Sequence, residues 1–198
     1  MPILSITLFL AVLSGQATAP PVSEANAWPL AATHEASTSL ERLPPAQRST
    51  LLPLLKPYLG PLVQGESPEE INQMMRSFRA ERITLAGSPA VAVQPSGRDL
   101  CGASGNCSFW IIDLHHRRVV LNAVGIRSFA VSSNRPSGMP DIITESHASA
   151  FEQEHIRWHF QGSSYERGEC ATVASADNDG QPYPTPKITS HPCDPEGN

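Results

Sequence analysis

The residues with the greatest chemical potential are seven histidines and four cysteines. His155 and His159 are spaced so that a helix would place both rings on one face, beside Glu154, where they could bind zinc. The run from His155 to Phe160 alternates polar and apolar residues, however, which is typical of a strand. On a strand the two rings lie roughly 13 Å apart, too far to share an ion. The sequence therefore predicts solvent-facing histidines on a half-buried strand, with no metal and no cofactor.

The four cysteines are better explained as disulfides than as a metal site or a nucleophile. An even number is typical of proteins from an oxidising compartment, and four cysteines allow three pairings. We favour Cys101–Cys107 with Cys170–Cys193, because each pair closes a loop that contains no predicted strand. On chain-entropy grounds the two bonds would contribute roughly 2 and 3 kcal/mol. The sequence leaves the other two pairings open, and no motif predicts catalysis by Cys107.

The first 19 residues are typical of a secretory signal peptide. An uncharged apolar run from Ile3 to Leu13 is followed by small residues up to Ala19, which suit a cleavage site. The apolar run is well short of the ~20 residues that cross a bilayer. We therefore expect a secreted or periplasmic protein that has no membrane span after the signal is removed.

Composition excludes a nucleic-acid partner and a helical bundle. The formal net charge is −5, and charged residues make up only 17% of the chain. A phosphate backbone would require a surplus of Lys and Arg on one face. The 19 prolines and 13 glycines favour loops and strands over long helices.

Changes in pattern divide the chain after the predicted signal peptide into four parts. Residues 20–45 are rich in Pro, Ala, Ser and Thr and are predicted to form a flexible leader. Residues 46–80 are predicted to be helical, because Ser67 to Glu70 form a capping box that opens a helix. Residues 81–172 alternate with a period of two and predict an antiparallel β domain. Residues 173–198 are polar and proline-rich and predict an irregular tail.

The predicted fold class is α+β. An N-terminal helical segment would be followed by an antiparallel β meander of about six to eight short strands. The most apolar strand is predicted from Ser108 to Leu114, near the centre of the sheet. The inner face of the sheet is predicted to contain Trp110, Ile112, Val119, Leu121, Trp158 and Phe160.

Three motifs between Cys101 and Cys170 resemble a group of uncharacterised secreted bacterial proteins. They are the CGASGNC loop, the aromatic pair Phe109-Trp110, and the closing WxFxGxxYxxxxC hairpin. The group has no established activity. The resemblance therefore implies export and a bacterial source, and it adds no catalytic residue.

The favoured function is a non-catalytic binding or accessory protein, such as an inhibitor or an envelope-associated factor. Its ligand is unknown, and its partner would be another envelope or extracellular protein. The predicted disulfides, small sheet and acidic balance favour this reading. The residues predicted to contribute to its binding surface are Trp110, Trp158, His155 and His159.

Two alternatives stay open. The first is a secreted hydrolase whose site is assembled from distant residues, such as Asp113, His147 and a serine of the 132–137 loop. A convergent pocket that holds these groups within hydrogen-bond reach would favour it. The second is a structural domain with no ligand.

Overall fold

The computed structural model describes residues 34–60, 64–133, 138–177 and 179–193. The predicted signal peptide and residues 20–33 of the predicted leader lie outside these residues. No helix within the described ranges is long and apolar enough to cross a membrane.

The described chain folds as an up-and-down meander of strands that form two antiparallel sheets of five. Each strand pairs with the one before it, except where the chain passes from one sheet to the other. The first sheet contains β1 (Thr38–Ser39), β2 (Arg79–Leu85), β3 (Ser88–Gln94), β4 (Cys107–Asp113) and β5 (Arg118–Ile126). The second contains β6 (Ser128–Val131), β7 (Ile142–His147), β8 (Glu152–Gln161), β9 (Ser164–Ala176) and β10 (Pro182–His191).

Short helices occupy the connections within the first sheet. Helices α1 (Pro45–Leu55) and α2 (Pro68–Met75) lie between β1 and β2, and α3 (Arg98–Cys101) lies between β3 and β4. The predicted capping box of α2 is present. The Glu70 amide donates to the Ser67 hydroxyl at 3.3 Å, and the Ser67 amide donates to the Glu70 carboxylate at 2.7 Å.

The predicted α+β class is wrong, since the fold is mostly β with two sheets in place of one meander domain. The helical residues do not form a separate N-terminal segment, because they are inserted between two strands of the same sheet. The parts predicted as leader and tail also contribute strands, β1 and β10. Both are edge strands whose exposed residues lack apolar alternation, so backbone pairing with β2 and β9 defines them.

The main core lies between the two sheets. Side chains of the first sheet, including Phe109 and Leu121, pack against Phe129, Ile142 and Trp158 of the second. The rings of Phe109 and Phe129 have centroids 5.0 Å apart. Burying such aromatic area is the largest favourable contribution to the stability of a fold of this size.

A second core covers the outer face of the first sheet. Leu51 and Leu55 of α1 and the loop residue Phe78 pack on Trp110 and Ile112 of β4. The rings of Phe78 and Trp110 are stacked, with centroids 6.0 Å apart and planes 6° apart. Strand β4 is therefore buried on both faces, in agreement with its apolar sequence.

The predicted inner face divides between these two cores. Trp110, Ile112 and Val119 lie on the helical side, whereas Leu121, Trp158 and Phe160 lie between the sheets. A β-bulge separates Val119 from Leu121, because Ile111 pairs with Leu121 while the next residue, Ile112, pairs with Val119. The extra residue exchanges the side chains that face the helices with those that face the second sheet. A period-two pattern in the sequence cannot locate such an insertion.

Candidate functional site

One end of the molecule contains a groove of about 640 Å³. This volume lies within the range of roughly 300–1,000 Å³ that is usual for small-molecule sites. The groove lies where β2 begins, where β3 and β7 end, and where the chain passes from β5 to β6. Its described lining comprises Glu35, Ala36, Ser37, Arg79, Gln94, Pro95, Ser96, Gly97, Cys101, Gly102, Ala103, Ser104, Gly105, Cys107, Arg127 and His147.

One wall of the groove is the disulfide loop, defined as residues 101–107. The structure pairs Cys101 with Cys107, and Cys170 with Cys193, which is the pairing that the sequence favours. The expectation that neither loop contains a strand is wrong for the second pair, because β10 lies between Cys170 and Cys193. Gly102 and Gly105 have φ angles of 67° and 74°, a region that favours glycine over residues with a side chain. The disulfide and these two turns hold the wall in one conformation.

Asn106 joins the disulfide loop to the second sheet. Its side-chain amide donates to the His147 carbonyl at 2.9 Å and accepts from the His147 backbone N–H at 2.9 Å. This two-bond contact fixes the loop against the end of β7. The groove is therefore bounded by both sheets and braced across them.

Arg127 lies at the single-residue connection between β5 and β6 and lines the groove. Its Nη1 is 2.6 Å from Nε2 of His147. A guanidinium only donates, so Nε2 of His147 is the acceptor in this contact. On the other side, the Nε of Arg127 lies 3.5 Å from a carboxylate oxygen of Glu35.

Gln94 holds the backbone beneath Arg127. Its side-chain Nε2 donates to the carbonyl oxygens of Ile126 and Arg127, at 2.7 and 3.2 Å. Gln94 is 4% exposed, so losing these bonds would leave buried polar groups unpaired. It also pairs in register with Arg79 on β2, which lines the same groove.

The groove is cationic although the whole chain is acidic. Its described lining contains two arginines, Arg79 and Arg127, and one carboxylate, Glu35. Arg79 is exposed and has no ion-pair partner in the part of the chain that the structure describes. An arrangement of this kind favours an anionic group over a neutral or cationic one.

The four residues predicted as a binding surface do not share a surface. Trp110 is 1% exposed in the helical core, and Trp158 is 5% exposed in the core between the sheets. His155 is 2% exposed, so the prediction that it faces solvent is wrong. Only His159 is partly accessible, and its Nδ1 pairs with Asp141 at 2.8 Å. The predicted strand is present as β8, but its neighbours in the sheet cover His155.

Burial lowers the pKa of His155 below its ordinary value, although the charges of Glu145 and Glu154 partly oppose the shift. The unfolded chain regains the ordinary pKa of about 6.5 and takes up a proton below that pH, whereas the folded protein does so only at lower pH. The contribution of His155 to stability is therefore complete above about pH 6.5 and declines as the pH falls towards the folded pKa.

We expect His155→Gln to remove part of the acid sensitivity of folding. Wild type should lose up to about 1.4 kcal/mol for each pH unit that separates the two pKa values, and the variant should not. Urea unfolding at pH 7.5 and pH 5.0 measures the difference. His191→Gln is the matched control with the opposite sign, because the Pro192 carbonyl and then Glu154 raise the pKa of His191. Equal pH dependence in wild type and His155→Gln would contradict the prediction.

The structure does not bring together the residues of the hydrolase alternative. Asn106 contacts His147 at one end of β4, and Asp113 lies seven residues further along that strand, roughly 20 Å away. Asp113 instead accepts hydrogen bonds from the His115 and His116 amides and from the His116 ring. The amide of Ser132 donates to the Asp141 carbonyl at the far end of the β6–β7 pair, and residues 134–137 lie outside the described residues.

Of the residues named in the hydrolase alternative that the structure describes, only His147 lines the groove, where its ring contacts Arg127. Sequence reasoning did not find Arg127, Arg79, Glu35 or Asn106 as site residues. Arg127 carries no local signal, since it lies within residues 81–172, which the sequence predicts only as an antiparallel β domain. Asn106 directly precedes Cys107, and its position at the end of the cysteine loop is a signal that could have identified it.

Comparisons with known protein families, with curated proteins and with solved structures found no match.

Proposed function

We propose that this protein is an exported binding protein whose ligand site is the groove beside the disulfide loop. The main support for the proposal is that one wall of the groove is held rigidly to both sheets. Cys101–Cys107 fixes the loop within the first sheet, and Asn106 fixes the same loop to His147 of the second. A site that is rigid before binding loses less conformational entropy when a ligand enters.

The polar interior of the groove supports binding over a purely structural part. Arg127 and Gln94 are held by directed hydrogen bonds, and Arg79 remains exposed to solvent at the edge. A few oriented polar groups in a recess are the usual means by which a protein fixes the orientation of a ligand. If this end of the molecule had only a structural role, its loops would need only to satisfy the hydrogen bonds of their own backbone groups.

Export is a further part of the proposal. Two disulfides are compatible with a periplasmic or extracellular protein. The signal-like N-terminus and the resemblance to secreted bacterial proteins point in the same direction. The partner or source of the ligand would accordingly lie in the envelope or outside the cell.

We expect Ala103→Trp to block the groove, because Ala103 is exposed on its wall and an indole would occupy the recess. The probe is a low-molecular-weight fraction of soluble envelope extract, and retained components are measured by equilibrium dialysis and mass spectrometry. Wild type should retain components that the variant does not. Ala46→Trp, on the exposed surface of α1, is the matched control and should behave as wild type. The proposal would be overturned if wild type and Ala103→Trp retained the same components. It would also be overturned if wild type retained no component.

A further inference from the structure

Arg127 already holds a carboxylate, that of Glu35. The contact runs from the guanidinium Nε to one carboxylate oxygen at 3.5 Å, which is longer than a strong charged hydrogen bond. The Glu35 side chain is 63% exposed, whereas that of Arg127 is 38% exposed. Exposed ion pairs of this length are weak and exchange readily with other charged groups.

His147 determines which edge of the guanidinium faces the groove. It accepts from Nη1, so the edge formed by Nε and Nη2 is left for Glu35 or for a ligand. That edge can bind both oxygens of a carboxylate through two parallel hydrogen bonds. The ion pair with Glu35 is formed at the Nε of this edge, at 3.5 Å.

Arg79 adds a second positive charge at the same place. It lies opposite Gln94 in the β2–β3 pair, and the Gln94 side chain reaches the Arg127 carbonyl. Both arginines line the same groove. A bound carboxylate would be attracted by both arginines. Glu35, which lies before β1, forms an ion pair with only one of them, Arg127.

We propose that the groove binds a carboxylate-bearing ligand, which displaces Glu35 from Arg127 and is also attracted by Arg79. This inference rests on the proposed function, because it names the ligand chemistry of the same groove. Glu35 then acts as an internal competitor that the ligand must replace. Removing its charge should therefore strengthen binding, while removing either arginine should weaken it.

Titration calorimetry with N-acetyl-tetraglutamate tests the inference, and N-acetyl-tetraglutamine is the neutral probe of matched size. We expect tetraglutamate to bind and tetraglutamine not to bind. Arg127→Gln should weaken binding by about tenfold or more, and Arg79→Gln by a smaller factor. Glu35→Gln should strengthen it several-fold. Raising the salt from about 0.05 to 0.5 M should weaken binding in every variant that binds.

Arg117→Gln is the matched control, since Arg117 is an exposed arginine in the turn after β4, at the other end of the first sheet. It should bind tetraglutamate as wild type does. Circular dichroism confirms that each variant is folded, and Arg79→Gln keeps the test decisive if Arg127→Gln does not fold. Glutarate as a third probe identifies the source of the carboxylate. If glutarate binds as tightly as tetraglutamate, the natural ligand is a small acid. If glutarate binds much more weakly, the natural ligand is an acidic peptide.

Equal binding of tetraglutamate and tetraglutamine would overturn the inference, as would weaker binding by Glu35→Gln or an equal loss in Arg117→Gln and Arg127→Gln. The proposed function fails by a different result. If wild type retains a neutral component that Ala103→Trp loses, the groove is a ligand site and only the carboxylate inference is wrong.

Discussion

Replacing Trp110 with alanine is expected to lower the free energy of unfolding by about 3–5 kcal/mol. Trp110 is 1% exposed, stacks on Phe78, and joins β4 to the helices that cover the first sheet. The substitution removes most of this contact area and leaves a cavity that the neighbouring Leu51 and Leu55 can fill only partly. Urea unfolding followed by circular dichroism measures the loss.

Two further variants make this prediction specific. Trp110→Phe should cost much less, because the ring contact is kept and the indole Nε1 has no hydrogen-bond partner among the described residues. Tyr58→Ala removes an aromatic side chain that is 39% exposed and should change stability by less than about 1 kcal/mol. A loss from Trp110→Ala no larger than that from Tyr58→Ala would show that the helices do not pack on β4.

The double substitution Cys170→Ser with Cys193→Ser is expected to lower the free energy of unfolding by roughly 3 kcal/mol. The bond closes a loop with a sequence separation of 23 and ties the C-terminal end of the described chain to β9. Strand β10 otherwise depends on its pairing with β9, because it is a largely exposed edge strand. Amide hydrogen exchange should accelerate most in residues 182–191.

The Cys101→Ser, Cys107→Ser double variant is the matched comparison. Its loop has a sequence separation of only 6, so the expected loss of stability is smaller, roughly 2 kcal/mol. This double variant should strongly change the structure of the groove, because the disulfide no longer closes the loop that Asn106 holds against His147. Equal stability losses in the two double variants, with unchanged exchange in β10, would contradict the assignment of separate roles to the two bonds.

Local signals in the sequence predicted local structure well. The capping box at Ser67 and Glu70 opens α2, the apolar run beginning at Ser108 is the doubly buried β4, and the short Cys101–Cys107 loop is closed by the expected disulfide. Each of these signals depends on residues that are neighbours in the chain. Turn, cap and loop-closure energies are therefore visible in the sequence itself.

The features that the sequence did not predict depend on pairing between distant segments. Strands β1 and β10 have no apolar pattern, so only their partners identify them as strands. The bulge beside Val119 reverses the facing of β5 without a residue type that marks it. The groove combines residues of both sheets, and its central arginine, Arg127, lies at the change of sheet. A pattern within one segment cannot show where another segment will meet it.

The proposal that most needs a direct test is that the groove beside the disulfide loop binds a carboxylate-bearing ligand. Amide chemical-shift mapping tests it most directly, with isotope-labelled wild-type protein titrated with N-acetyl-tetraglutamate. Shifts should concentrate at residues 94–97, 101–107, 127 and 147, and they should disappear in Ala103→Trp. Saturable shifts confined to another surface, such as the exposed face of β10, or no shifts at millimolar probe, would contradict the account.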